Sequence, residues 1–104
     1  MLIPNSLEEL SSIIEKEKVV LFFTADWCGD CQYIKPVMPE IEQDFSEFTF
    51  VQVDRDEYMD VAEKLMILGI PSFVVLKDGQ EVGRLVNKRR KTKEEIVEFL
   101  EQYR

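Results

Sequence analysis

The sequence predicts an α/β domain, and three observations carry that reading. Helical and extended patterns alternate along all 104 residues, without repeats or low-complexity tracts. One run, Val19-Val20-Leu21-Phe22-Phe23, is apolar at every position rather than at every second one, as expected of a central strand covered on both faces. Asp78-Gly79 separates two further extended segments in the manner of a hairpin turn. With 45% hydrophobic and 11% aromatic residues the chain can bury a real core, so residues 1–104 are expected to form a single domain with no linker.

The elements follow in order. Ser6-Leu7-Glu8-Glu9 has capping-box spacing, and Leu7, Leu10, Ile13 and Ile14 repeat as one face of a short helix ending near Lys16. The apolar strand Val19 to Phe23 comes next. From Cys31 to about Phe45 the pattern is helical, but Pro36 and Pro39 each remove a backbone donor and should kink or interrupt it. Phe48 to Val53 reads as a second strand. Met59 to Leu68 reads as a helix closed by Gly69, with Pro71 preceding a strand from Phe73 to Leu76. Gln80 to Val86 returns from the hairpin. Thr92-Lys93-Glu94-Glu95 then caps a last helix bearing Ile96, Val97, Leu100 and Tyr103. The resulting order is α-β-α-β-α-β-β-α.

The chemistry concentrates in Trp27-Cys28-Gly29-Asp30-Cys31, which holds the only two cysteines where the apolar strand gives way to a helical segment. Two thiols at this spacing can close a small disulfide, and a helix N-terminus beside the first stabilises its thiolate. The N-terminal Met1-Leu2-Ile3-Pro4-Asn5 lacks a basic leader region, and no apolar run approaches the roughly 20 residues of a membrane span, so cytoplasmic residence is the expectation. In a reducing compartment a lone Cys-x-x-Cys reads as catalytic or metal-binding rather than as a structural staple. A single pair with no histidine and no further cysteine cannot fill a tetrahedral metal site within one chain, so no metal is expected. Net charge of −8 argues against binding to nucleic acid or to anionic membrane.

Taken together, Ala25-Asp26-Trp27-Cys28-Gly29-Asp30-Cys31, the proline five residues on at Pro36, Gly69-Ile70-Pro71-Ser72-Phe73 and Lys77-Asp78-Gly79 resemble the thioredoxin family from Val19 to the C-terminal helix. The resemblance implies a thioredoxin fold, a central mixed sheet of four to five strands flanked by helices on both faces. It implies thiol-disulfide exchange with protein disulfides through a mixed disulfide, Cys28 attacking and Cys31 resolving, with no bound cofactor beyond the redox-active Cys28-Cys31 disulfide. It further implies that Pro71 is a cis-proline facing the dithiol, that the Ile70 backbone pairs with an extended client segment, and that Trp27, Gly29 and Asp30 complete the substrate surface. Client proteins with disulfides, an upstream donor such as a thioredoxin reductase and a monomeric state follow from the same resemblance.

Four departures bear on specificity. Asp30 stands where typical thioredoxins have proline. Its carboxylate opposes a thiolate on Cys28, while the N–H it restores would favour one. A nearby charge is worth about 3 kcal/mol at an effective dielectric of 20, and a hydrogen bond to a charged group ~1.5 to 3, so the sign stays open. Phe22 stands where relatives commonly bury an aspartate beneath the resolving cysteine, which leaves Asp26 or Asp30, directly or through water, as the proton acceptor for Cys31. Asn87 replaces a common glycine and opens the run Lys88-Arg89-Arg90-Lys91, which either lies in water as a charged turn or docks acidic partners or the carboxylates of a small thiol. Finally, Leu2-Ile3 is long enough only for a stub strand at the sheet edge. Two other readings accompany the leading one: a monothiol-style reductase that removes small thiols from proteins, and a non-catalytic thioredoxin-like binding module.

Overall fold

The computed structural model describes residues 1–104. Its elements are α1 (Leu7–Ile13), β1 (Lys18–Thr24), α2 (Gly29–Ile34), a 3-10 turn (Lys35–Val37), α3 (Met38–Asp44), β2 (Thr49–Asp54), α4 (Met59–Lys64), β3 (Ser72–Lys77), β4 (Gln80–Leu85) and α5 (Lys93–Glu101). The strands form one sheet in the order β2-β1-β3-β4, with β1 parallel to β2 and antiparallel to β3. Leu2 adds a single parallel bridge to Val51, its N–H donating to the Phe50 carbonyl at 2.8 Å, so the N-terminal strand is indeed a stub.

The unbroken apolar run of β1 feeds two cores at once. Val20 and Phe22 point to one face, among Ile34, Met38 and Ile41 of the α2 and α3 segment and Ile96, Phe99 and Leu100 of α5. Val19, Leu21 and Phe23 point to the other, among Leu10 and Ile13 of α1 and Ala62 of α4. A period of two along an extended chain separates these sets, and burial on both sides demands that both be apolar. Phe22 is fully buried, and its ring stacks on that of Phe73 across the β1 and β3 pairing at 5.1 Å.

Both predicted caps form. Ser6 Oγ accepts from the Glu9 N–H and Thr92 Oγ1 from the Glu95 N–H, each at 3.1 Å. The hairpin turn places Asp78 at φ 51° and Gly79 at φ 81°, the left-handed pair that a tight two-residue connection requires.

Helix α4 is shorter than the sequence suggests. It ends at Lys64, and Met66, at φ 56°, supplies the left-handed residue expected of Gly69. The Ile67 N–H donates to the Ala62 carbonyl at 2.9 Å and the Met66 N–H to the Glu63 carbonyl at 3.0 Å, a Schellman closure in which buried Ile67 is the apolar contact. Gly69 has a different purpose: a Cβ there would collide with the Asn87 carbonyl and lie 2.9 Å from the Lys88 Cα. Its lack of a side chain lets the loop after β4 close against the segment that precedes Pro71.

Candidate active site

The site forms where β1 ends. Buried Ala25 accepts at its carbonyl from the Cys28 N–H at 3.2 Å, turning the chain so that Cys28 becomes the N-cap of α2. The helix therefore starts at Gly29, two residues before the expected position, and Cys31 lies in its first turn. Cys28 and Cys31 are joined as a disulfide, with Cα atoms 5.2 Å apart. Cys28 Sγ accepts the Cys31 N–H at 3.1 Å. The donor facing the sulfur is thus the amide of Cys31, not the Asp30 amide that the sequence suggested, and it is one of the N–H groups left unpaired at any helix start.

The two sulfurs differ in access: Cys28 retains 6% exposure and Cys31 none. Ile70 packs against both cysteines and Ala25, and its carbonyl oxygen lies 3.9 Å from Cys28 Sγ. The Ile70-Pro71 bond is cis. Trp27 is 62% exposed and is held by its indole N–H, which donates to Asp56 Oδ2 at 2.7 Å, while the Arg55 guanidinium lies 5.7 Å from the ring centre. Trp27, Cys28, Arg55 and Ile70, together with Gly29, Asp30, Leu68, Gly69 and Lys88, line an open groove of about 340 Å³; Cys31 and Pro71 do not line it. Trp27, Cys28, Gly29, Asp30 and Ile70, all singled out by sequence, converge there. Lys88, from the basic run read as either a solvated turn or a docking site, joins them, whereas Arg55 and Leu68 were not singled out, since no local pattern marks a residue whose neighbours come from other loops.

The carboxylates divide. Asp30 Oδ1 accepts from Arg90 Nε at 2.9 Å, and the same guanidinium lies 4.3 Å over the Tyr33 ring. Asp26 is exposed and has no ion-pair partner. No group of three or more acidic, cysteine or histidine side chains is arranged to hold a metal ion.

The basic run is not one uniform patch. Lys88 lines the groove, Arg90 pairs with Asp30, and Lys91 is completely buried. Lys91 Nζ donates to the Asn87 carbonyl at 2.9 Å, to Asn87 Oδ1 at 2.8 Å and to the Arg89 carbonyl at 2.8 Å, folding the loop around itself. Burial pushes its pKa down to about 8, with Glu95 and Asp30 pulling it up and Arg89 pressing it further down. Between that value and the free-lysine 10.5, the unfolded chain holds a proton the folded chain has released, so stability rises with pH through this window and is lost as pH falls towards 8. Denaturant midpoints of the oxidised protein at pH 7.5 and 9.5 should therefore show wild type gaining on Lys91→Met at the higher pH. An unchanging difference would mean that the three acceptors keep the ammonium protonated.

The thioredoxin family model matches residues 3–102. A thioredoxin H-type of Fagopyrum esculentum is 40% identical over 91 residues, covering 83% of this chain and 78% of its own. Thioredoxin-2, mitochondrial, of Schizosaccharomyces pombe is 34% identical over 89 residues, covering 85% and 67%. The structure of Plasmodium falciparum thioredoxin superposes with a TM-score of 0.88 at 32% identity over 100% of both chains. That of thioredoxin NaTrxh from Nicotiana alata gives 0.84 at 28% identity, over 99% of this chain and 91% of the other. With a cysteine pair capping a helix beside a cis-proline on a four-stranded mixed sheet, the chain belongs to the thioredoxin family and is a thiol-disulfide oxidoreductase.

Proposed function

We propose that Cys28 is the attacking sulfur and Cys31 the resolving one in the reduction of client disulfides, and that residues 1–104 act as one thioredoxin-like domain in the cytoplasm. The observation that carries the assignment is the asymmetry of the pair: Cys28 caps α2, opens to the groove and accepts an amide N–H, whereas Cys31 is fully enclosed. A thiolate at the capping position gains from the helix N-terminus, and only an accessible one can meet a second protein.

In the first step the Cys28 thiolate attacks one client sulfur. The client S–S bond breaks, and the second client sulfur leaves as a thiolate that takes up a proton. Cys31 then gives up its proton and attacks Cys28 Sγ, which releases the remaining client thiol and restores the Cys28-Cys31 disulfide. Two electrons pass to the client, and a reductase of the thioredoxin reductase kind returns them. Trp27 and the Ile70-Pro71 segment flank the reacting sulfur, with Ile70 offering backbone groups to an extended client and Gly29 and Asp30 bordering it. The Cys31 proton goes to Asp26 or Asp30, directly or through water. Asp30 is occupied by Arg90, so Asp26 is the freer acceptor.

The test is a redox titration in thiol buffers, trapped with an alkylator and weighed as intact protein. An intramolecular disulfide at a strongly reducing potential, near the roughly −270 mV characteristic of thioredoxins, is expected. Accumulation of a mixed disulfide with the buffer thiol would point instead to reduction of small-thiol adducts.

A further inference from the structure

Negative charges outnumber positive ones 21 to 13 in this chain, yet the walls of the groove run the other way. Arg55, from the loop after β2, and Lys88, from the loop after β4, both line it, and Arg89 follows Lys88 on the exposed tip of the same loop. None of the three forms an ion pair, while Arg84, Arg90, Lys93 and Arg104 all do. The acidic side chains closest in sequence to these features are largely engaged: Asp30 by Arg90 and Asp56 by the Trp27 indole. Asp54 accepts the Asp56 and Glu57 N–H groups, whereas Asp26 and Glu57 make no ion pair.

The loop that carries Lys88 and Arg89 is also built to stay in place. Lys91 ties it from within through three hydrogen bonds, the Arg89 N–H donates to Asn87 Oδ1 at 2.9 Å, and Gly69 lets it close against the groove. Cations at the border of an open groove that make no ion pair within the chain, Arg55 touching only the Trp27 ring, are free to meet charge brought by something else.

We propose that this surface selects protein disulfides whose target cysteine is flanked by acidic side chains, with Lys88 and Arg89 reading one flank and Arg55 the other. This rests on the preceding assignment of Cys28 as the attacking sulfur and names the client class for it. A client laid across Cys28 runs between the two cationic walls, so a carboxylate on either side speeds encounter and lengthens the complex. A lysine there meets like charge. The occupant is a protein segment rather than a small thiol, because the cations are spread over two different loops, one after β2 and one after β4.

The experiment uses three disulfide-bonded peptides of equal length whose target cysteines are flanked by Glu, Gln or Lys, with kcat/KM measured at low salt. For wild type the Glu peptide should exceed the Lys peptide by about tenfold, a ratio that collapses towards one in high salt. Lys88→Glu/Arg89→Glu should invert the preference, and Lys88→Gln/Arg89→Gln should reduce it part of the way. Both side chains of the pair are exposed, and equal thermal midpoints will confirm that the variants fold. A wild-type ratio within twofold of one, with the Gln peptide still reduced, overturns the client class and leaves the oxidoreductase reading intact. A ratio that neither double variant alters overturns the assignment to this loop. Faster turnover of a glutathione mixed disulfide than of every peptide disulfide overturns the proposal in favour of small-thiol recognition. Failure to reduce any peptide would count against the Cys28 and Cys31 roles themselves.

Discussion

Cys31→Ser is expected to attack a client disulfide at close to the wild-type rate and then stop. The attacking sulfur, its capping position and the Cys31 backbone N–H that faces it are all unchanged by the substitution, because that bond comes from the main chain. What disappears is the second thiol, held by the first turn of α2 with its Cα 5.2 Å from that of Cys28. Intramolecular groups so placed react as if at effective concentrations of about 10⁵ M or more, far beyond the millimolar thiol of a solution. Release of the client should therefore slow by at least about 10²-fold, and the covalent complex should be visible by mass on a non-reducing sample. Cys28→Ser should behave oppositely, forming no adduct and leaving a thiol so enclosed that alkylators reach it slowly. Unimpaired multiple turnover by Cys31→Ser on protein disulfides would show that an external thiol resolves the complex and that the pair does not act as a dithiol.

A loss of stability of about 3 to 5 kcal/mol or more is expected for Phe22→Asp, the substitution that installs the buried acid common among relatives. The aromatic ring is fully buried, stacked on Phe73 and surrounded by Val20, Val75 and the apolar faces of α3 and α5, and removing such a ring alone costs about that much. The new carboxyl would also lose its water among the apolar side chains packed there. Burial raises the pKa of an unpaired carboxyl, so its deficit against Phe22→Ala should be smallest below about pH 3, where the acid is neutral in both states, and still small at about pH 4. The deficit should widen as pH climbs towards the raised folded value, since the unfolded chain ionises first. Urea midpoints of both variants at pH 4 and pH 7 measure this directly. A Phe22→Asp protein as stable as wild type at pH 7 would reveal a hidden polar partner for the centre of β1.

The sheet, the caps and the dithiol are legible in the sequence because each is written in adjacent residues. A five-residue run rich in β-branched and aromatic residues and apolar throughout fits a covered strand, Ser-x-x-Glu and Thr-x-x-Glu spacings are themselves the caps, and Asp78-Gly79 is its own turn. The misreadings share the opposite property. The end of α4 looked like Gly69 because glycine is the usual left-handed residue, but the burial of Ile67 set the closure three residues earlier and obliged Met66 to take that conformation. Lys91 read as one more surface cation, since nothing local distinguishes a lysine that will be wrapped by the carbonyls of its own loop. Arg90 meets Asp30 across sixty positions of sequence, and Arg55 and Lys88 reach the groove from separate loops. Such contacts depend on where the sheet brings loops together, which alternation of apolar residues cannot specify.

The loop after β4 keeps its anchorage and its charge in different groups. Lys91, the Arg89 main chain and the close approach to Gly69 determine where the loop lies, whereas the side chains of Lys88 and Arg89 are exposed and make no hydrogen bond or ion pair within the chain. If the tip selects clients as proposed, it is an interchangeable address label: rewriting those two side chains would redirect the protein to other clients without touching the dithiol or the loop's anchorage.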